Sequence, residues 1–133
     1  MNPHRILLAE DNKINQVVAV GTLHKLGYVV DIADGGSEAL AAFQDHPYDA
    51  ILMDVMMPGI DGYQATRLIR QHEAAYGSDP TPVIGLSARA MAGDRDIALE
   101  AGMDDYLTKP LRTQSLKDTL EVWIGKAVVL NTP

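Results

Sequence analysis

Short, nearly unbroken apolar runs alternate along this chain with longer segments of helical period, and this alternation constrains the fold most. Ile6-Leu7-Leu8-Ala9 is bounded by charge on both sides, Ala50-Ile51-Leu52-Met53 ends at Asp54, and Pro82–Leu86 follows a loop rich in turn formers. A strand buried on both faces needs continuous apolar sequence, where a half-exposed strand would alternate. Tyr28–Ala33 is rich in β-branched residues and reads as a further strand, and Asp105–Thr108 as a short fifth one. Between the runs, helices are predicted over Lys13–Leu26, where Ile14, Val17, Val18 and Gly21 recur at helical spacing, and over Glu38–His46, with Ala39, Leu40 and Phe43 on one face. Others are predicted over Gly62–Ala75, with Ala65, Leu68, Ile69 and His72 aligned, over Ala92–Ala101, and beyond an N-cap at Thr113 through Leu116, Leu120 and Trp123. Gly27, Asp34-Gly35-Gly36, Pro58-Gly59, Tyr76–Thr81 and Gly102 punctuate the series.

Five strand–helix pairs at intervals of roughly 20–25 residues are βαβ units. The expected fold is a three-layer α/β sandwich, (βα)5, around a five-stranded parallel sheet. The flavodoxin-like strand order 2-1-3-4-5 is expected from the class, since spacing alone does not fix it. A chain of 133 residues suits one domain, taken as residues 1–125, with 126–133 as a tail or the start of a linker.

The lack of cysteine excludes disulfides, thiolate metal sites and a catalytic thiol, and fits a reducing, cytoplasmic setting. His4, His24, His46 and His72 show no ligand spacing. A net charge of −7 argues against direct nucleic-acid binding. No apolar run approaches the ~18–20 residues of a membrane span, so no membrane insertion of this domain is expected.

In an open α/β sheet, ligands sit beyond the carboxyl ends of the strands. Those ends carry Glu10-Asp11, Asp54, Ser87 and Lys109-Pro110. If strands one and three are neighbours, three carboxylates share one crevice. Two charges about 4 Å apart repel by about 1 kcal/mol in water and about 4 kcal/mol at an effective dielectric of 20. Three of them call for a counter-charge. A hard divalent cation with oxygen ligands supplies one, Mg2+ or Mn2+, and Lys109 supplies another. Together with the Ser87 hydroxyl, these groups suit the oxygens of a phosphoryl group in transfer. A carboxylate can itself attack phosphorus. Asp54 stands alone between an apolar run and the Val55-Met56-Met57-Pro58 turn and is assigned as nucleophile. Glu10 and Asp11 form the cation-holding pair.

Each residue also has a plainer reading. Glu10-Asp11 alone would cap a helix, Ser87 would form a turn, and Lys109-Pro110 would be loop. Asn12, Asn15 and Asp61 read as caps or polar surface, Gly59 and Gly62 as turn formers, and Arg67, Arg70 and Arg89 as solvated. Met53, Met56 and Met57 read as packing. The four chemical features carry weight because all fall at one edge of the predicted sheet.

Four segments resemble receiver domains of two-component systems: Ile-Leu-Leu-Ala-Glu10-Asp11-Asn12, Met-Asp54-Val-Met-Met-Pro58-Gly-Ile-Asp61-Gly62, Pro-Val-Ile-Gly-Leu-Ser87-Ala88 and Asp-Asp-Tyr106-Leu-Thr-Lys109-Pro110. The likeness runs from about Arg5 to about Trp123. Glu10-Asp11-Asn12-x-x-Asn15-Gln16, with Leu26-Gly27 behind it, looks most like the receivers of hybrid sensor histidine kinases. The resemblance implies that Asp54 takes phosphate from a histidine kinase or histidine phosphotransfer protein. Glu10, Asp11, Asp54 and the backbone carbonyl of Met56 would hold Mg2+, and Lys109 would contact the phosphoryl group. Ser87 and Tyr106 would be the switch pair. Met91, Arg95, Tyr106 and Lys117 would lie on an output surface formed by the fourth helix, fifth strand and fifth helix, open to a downstream protein.

Ser87 stands where the family has Ser or Thr, and Ile60 where Met is frequent. The resemblance further implies that bulk at Met56 and Arg89 slows hydrolysis of the phospho-form. The domain would be a switch that catalyses only its own phosphoryl transfer and dephosphorylation. The main rival, a phosphatase or phosphotransferase of the haloacid-dehalogenase type, would carry a second Asp where Met56 stands. An unphosphorylated interaction module would lack an acid or the lysine, and none is missing.

Overall fold

The computed structural model describes residues 3–88 and 91–130, with side chains as far as residue 125. Strands β1 (Arg5–Ala9), β2 (Val29–Ala33), β3 (Ala50–Asp54), β4 (Val83–Ser87) and β5 (Asp105–Thr108) form one parallel sheet in the order β2-β1-β3-β4-β5. Helices α1 (Lys13–Lys25), α2 (Gly36–Asp45), α3 (Gly62–Tyr76), α4 (Asp94–Ala101) and α5 (Thr113–Leu130) follow the strands in turn. This is the flavodoxin-like sandwich expected from the class.

Alternate residues of the strands feed the two faces. Leu7, Ile51, Met53 and Val83 pack with Ala39, Ala65, Ile69 and Ala98 from α2, α3 and α4. Ile6, Leu8, Leu52, Ile84 and Leu86 pack with Ala19, Leu23, Leu116 and Leu120 from α1 and α5. Both faces of β1, β3 and β4 are covered, which is why their runs are continuously apolar.

Most element ends move by a residue or two from the predicted ones, but α5 runs on to Leu130, through residues expected to form a tail or linker. Helix α2 begins at Gly36, inside the expected turn, and glycine is needed there because a side chain would lie 2.5 Å from the main-chain oxygen of Ile60. Helix α4 begins only at Asp94, and Thr113 is the first residue of α5 rather than its cap.

Two expectations need correction. The apolar stripe of α1 faces outward: Ile14, Val17 and Val18 are 75%, 73% and 60% exposed, while Gln16, Ala19 and Leu23 are buried. The helical period is right, but the buried face is not the most apolar one. Arg70 is not solvated. Its Nε donates to the carbonyl of Gly102 at 2.9 Å, and its Nη1 donates to Glu73 Oε1 and to the carbonyl of Thr81, both at 2.8 Å. Its Nη2 donates to Asp104 Oδ2 at 2.8 Å. Glu73 is buried and also accepts the Thr81 N–H at 2.7 Å. One guanidinium thus ties α3 to the segment before β4 and to the end of α4. Arg67 is exposed as expected, and Arg89 lies outside the described residues.

Removing Arg70 would leave Glu73 buried without its cation, a change that ordinarily costs several kcal/mol. Arg70→Met is expected to lower unfolding free energy by about 2–3 kcal/mol in urea titration. A loss within the error of the parent value would contradict this role.

Candidate functional site

The strand order places β1 beside β3, with Ala9 in register with Met53, and β3 beside β4, with Asp54 in register with Leu86. The chain leaves β1 through Glu10-Asp11 and leaves β3 at Asp54, so these acids emerge side by side at the carboxyl edge. Glu10 and Asp54 are buried and Asp11 is exposed. A ligand oxygen of each lies within 4.8 Å of the others. An all-oxygen donor set of this kind fits a hard cation such as Mg2+.

Lys109 arrives from the end of β5. Its Nζ donates to Asp54 Oδ2 at 2.8 Å and to Glu10 Oε2 at 2.7 Å. The other oxygen of each acid is also held. Asp54 Oδ1 accepts the Met56 N–H at 3.1 Å. Glu10 Oε1 accepts the Asn12 N–H at 3.2 Å and Asn15 Nδ2 at 3.3 Å.

Burial pushes the Asp54 carboxyl above its ordinary value, and the neighbouring Glu10 carboxyl adds to this against the pull of Lys109. Burial also acts upward on Glu10, but the hydrogen bond from Lys109, the neighbouring Asp54 carboxyl and the Lys109 charge hold it below the usual carboxylate range. Lys109 is depressed by burial and raised further by its two carboxylate partners, so it is held above its ordinary value. An ammonium between two buried acids therefore keeps its charge, and Asp54 is the acid that takes a proton more readily.

Of the other expected residues, Ser87 adjoins this centre, and Tyr106, Arg95 and Lys117 lie on β5 and the helices beside it. Ser87 ends β4 and is buried, and its carbonyl accepts the Lys109 N–H at 2.6 Å. Tyr106 is half-buried on β5, with its hydroxyl 3.5 Å from Asp94 Oδ2 of α4. Met91 and Arg95 are exposed, and Arg95 Nη1 lies 3.4 Å from Asp105 Oδ1. Lys117 lies 3.5 Å from Glu121 on α5, away from the acids. The Met56 side chain is exposed, while Met53 and Met57 are buried as expected of packing residues.

Asn12 caps α1 by accepting the Asn15 N–H at 3.0 Å, and Asp61 caps α3 in a reciprocal box with Gln64. Asn15 does more than expected, since it also reaches Glu10. Gly59 serves its turn with a φ of 76°. Gly62 does not. A side chain there would fall on the main-chain oxygen of Asp54 and 2.8 Å from the Cα of Val55. Gly62 lets α3 begin directly beneath the Asp54 peptide, which a reading of Gly as a turn former misses. The only advance signal was the Gly-x-x-Gly pattern after Pro58.

The sequence pattern of the response regulator receiver domain matches residues 6–121. The sensor histidine kinase GacS of Pseudomonas protegens is 41% identical over 124 residues, covering 93% of this chain and 14% of the kinase. The chain therefore spans a small part of that relative's length. The receiver domain of sensor histidine kinase PA1611 from Pseudomonas aeruginosa, solved with magnesium in its active-site cleft, is 44% identical with a TM-score of 0.84. That match covers 93% of this chain and 99% of the solved one. The receiver domain of Saccharomyces cerevisiae Ssk1, solved with the phosphotransfer protein Ypd1, is 29% identical with a TM-score of 0.89, covering 94% and 91% of the two chains.

Lys109→Met would leave two buried carboxylates facing each other without a cation. At neutral pH and without metal, the variant is expected to lose about 3 kcal/mol of stability. The sign with pH follows from the two acids. The lowered value of Glu10 gives stability that is present above the unfolded glutamate value and is lost as pH falls through the folded one. The raised value of Asp54 works oppositely, and its contribution is lost as pH rises through the folded value. Removing Lys109 abolishes the first effect and enlarges the second, so the deficit should shrink on acidification. Urea titrations over a pH series measure it, and a deficit that grows towards acid would refute the assignment.

Proposed function

Because the chain belongs to the response regulator receiver domain family, we propose that Asp54 is its phosphoacceptor and that it takes a phosphoryl group from a histidine kinase or histidine phosphotransfer protein. One observation carries this function: the Lys109 ammonium bridges Asp54 Oδ2 and Glu10 Oε2, with the Asp11 carboxylate alongside. An Asp54 oxygen attacks the phosphorus of a phosphohistidine. The P–N bond breaks, its electron pair returns to the imidazole, and the new P–O bond makes an acyl phosphate. Glu10, Asp11, Asp54 and the Met56 carbonyl would hold Mg2+, which neutralises charge on the transferring oxygens. Lys109 contributes a second fixed positive charge at the same oxygens. Hydrolysis of the acyl phosphate in the same site would return the domain to rest, with Met56 at the approach of water.

The readout would be conformational. A phosphoryl group adds up to two negative charges and three strong acceptors beside Ser87 and Lys109. Helix α4 is lightly held: it buries only Ala98 and Ala101, and Ile97 and Leu99 are about half exposed. Little apolar contact opposes its displacement. Gly85, in register with Tyr106, gives the ring room, since a side chain there would lie 2.6 Å from Met103 Sδ and 3.4 Å from Tyr106 Cδ2. Movement of Ser87, Tyr106 and α4 would reshape the α4–β5–α5 surface carrying Met91, Arg95, Tyr106 and Lys117, where a downstream protein would read it. No described helix is long and apolar enough to cross a membrane, and a cytoplasmic setting suits a kinase-fed domain.

The exposed stripe of Ile14, Val17 and Val18 follows directly after the acid loop. A contiguous apolar patch beside a reaction site suits a protein donor rather than a small one. Ssk1 in its complex with Ypd1 offers a precedent for such a partner.

Acetyl phosphate or beryllofluoride with Mg2+ should modify the parent, with a mass gain of one phosphoryl group for the former. Asp54→Asn or chelation should abolish it, and a gain that persists in Asp54→Asn would refute the phosphoacceptor. The double change Ile14→Glu and Val17→Glu is expected to slow transfer from a phosphotransfer protein about tenfold more than labelling by acetyl phosphate. Stopped-flow or gel-based transfer assays measure the ratio, and equal slowing of both would exclude α1 as the docking face.

A further inference from the structure

Gln16 is 5% exposed, on the inward face of α1 beside Ala19 and Leu23. An apolar side chain could fill that position, and an amide buried there must find partners for its hydrogens. Both hydrogens of Nε2 are used. One goes to the main-chain oxygen of Glu10 at 2.6 Å and the other to Asp34 Oδ1 at 2.7 Å. Asp34 follows β2 as Glu10 follows β1, and the two strand ends are already joined by the Glu10 N–H on the Ala33 carbonyl at 3.0 Å. Gln16 therefore spans two neighbouring strand ends at the edge where the acids emerge.

The bond to Glu10 matters most. That carbonyl belongs to the peptide leading into Asp11, so holding it fixes the plane from which Asp11 departs. The Glu10 carboxylate is oriented by Asn12, Asn15 and Lys109. Among the described residues, the Asp11 carboxylate has no such hydrogen-bonding partner, so its aim depends on the backbone. We infer that Gln16 is a positioning residue: by holding the Glu10–Asp11 peptide it aims the Asp11 carboxylate at the cation bound with Glu10 and Asp54. This rests on the proposal that those three acids hold Mg2+. Outer partners of this kind ordinarily change metal affinity by about tenfold or more.

The test is calorimetric titration of MgCl2 into the purified domain, paired with urea unfolding of the same samples. Gln16→Met keeps the length and apolar bulk of the side chain and removes the donors. It is expected to bind Mg2+ about tenfold more weakly than the parent. Its labelling by acetyl phosphate should be slow at low Mg2+ and approach the parent rate at saturation, a split that general destabilisation would not give. An affinity within twofold of the parent overturns the inference.

Should Gln16→Met not fold, the exposed partner Asp34 decides. Asp34→Asn and Asp34→Ala remove the same charge, but only Asn keeps an acceptor for Gln16. Asp34→Ala should bind Mg2+ about threefold more weakly than Asp34→Asn, less than the roughly tenfold of a direct outer partner because Asp34 acts only through Gln16. Equal affinities overturn the inference. A parent that binds no Mg2+ would overturn the metal site itself, which the same titration distinguishes.

Discussion

The ammonium of Lys109, set between Asp54 Oδ2 and Glu10 Oε2, is the interaction on which the rest of this structure depends. Glu10 and Asp54 are both buried, and two carboxylates cannot share a buried space as anions without a counter-charge. Lys109 supplies it from 99 residues away from Glu10 and 55 from Asp54. The balance is incomplete: Glu10 is held below its ordinary value while Asp54 is pushed above. Electrostatic need is thus left at the residue proposed to accept a phosphoryl group, where further positive charge would be most favourable.

The surrounding fold serves that geometry. Gly62 lets α3 begin directly beneath the Asp54 peptide, and the Asp61–Gln64 box fixes where that helix starts. Arg70 ties the far end of α3 to Thr81, Gly102 and Asp104, at the opposite edge of the sheet. The site edge and the anchored edge thus lie at opposite ends of the strands. Rigid strands between them suit the proposed function, in which the acids hold still while α4, which buries only two alanines, shifts.

Much of this was legible in the sequence. The apolar and β-branched runs read as five strands and the intervening periods as five helices, with errors of a residue or two at most ends and a longer one at α5, which runs on to Leu130. Asp54, Glu10, Asp11, Ser87 and Lys109 were all assigned to one edge. What could not be read were choices made by packing. Ile14, Val17 and Val18 have the helical period of a core face yet point to solvent, because Gln16 finds partners for its amide on the inner side and Ala19 and Leu23 lie against the sheet. Arg70 reads as a surface charge until Glu73 and Asp104 are seen around it. Gly62 reads as a turn residue until the Asp54 oxygen is found against it.

The sequence by itself determined the elements and which residues stand at their ends: short apolar runs bounded by charge and turn formers read as strands covered on both faces, and the acids that follow them lie where those strands stop. Tertiary structure decided which faces turn inward and which distant groups meet. Apolar periodicity is a local property of one segment. The inward face of a helix, and the charge that answers a buried carboxylate, depend on neighbours brought together only when the sheet has formed.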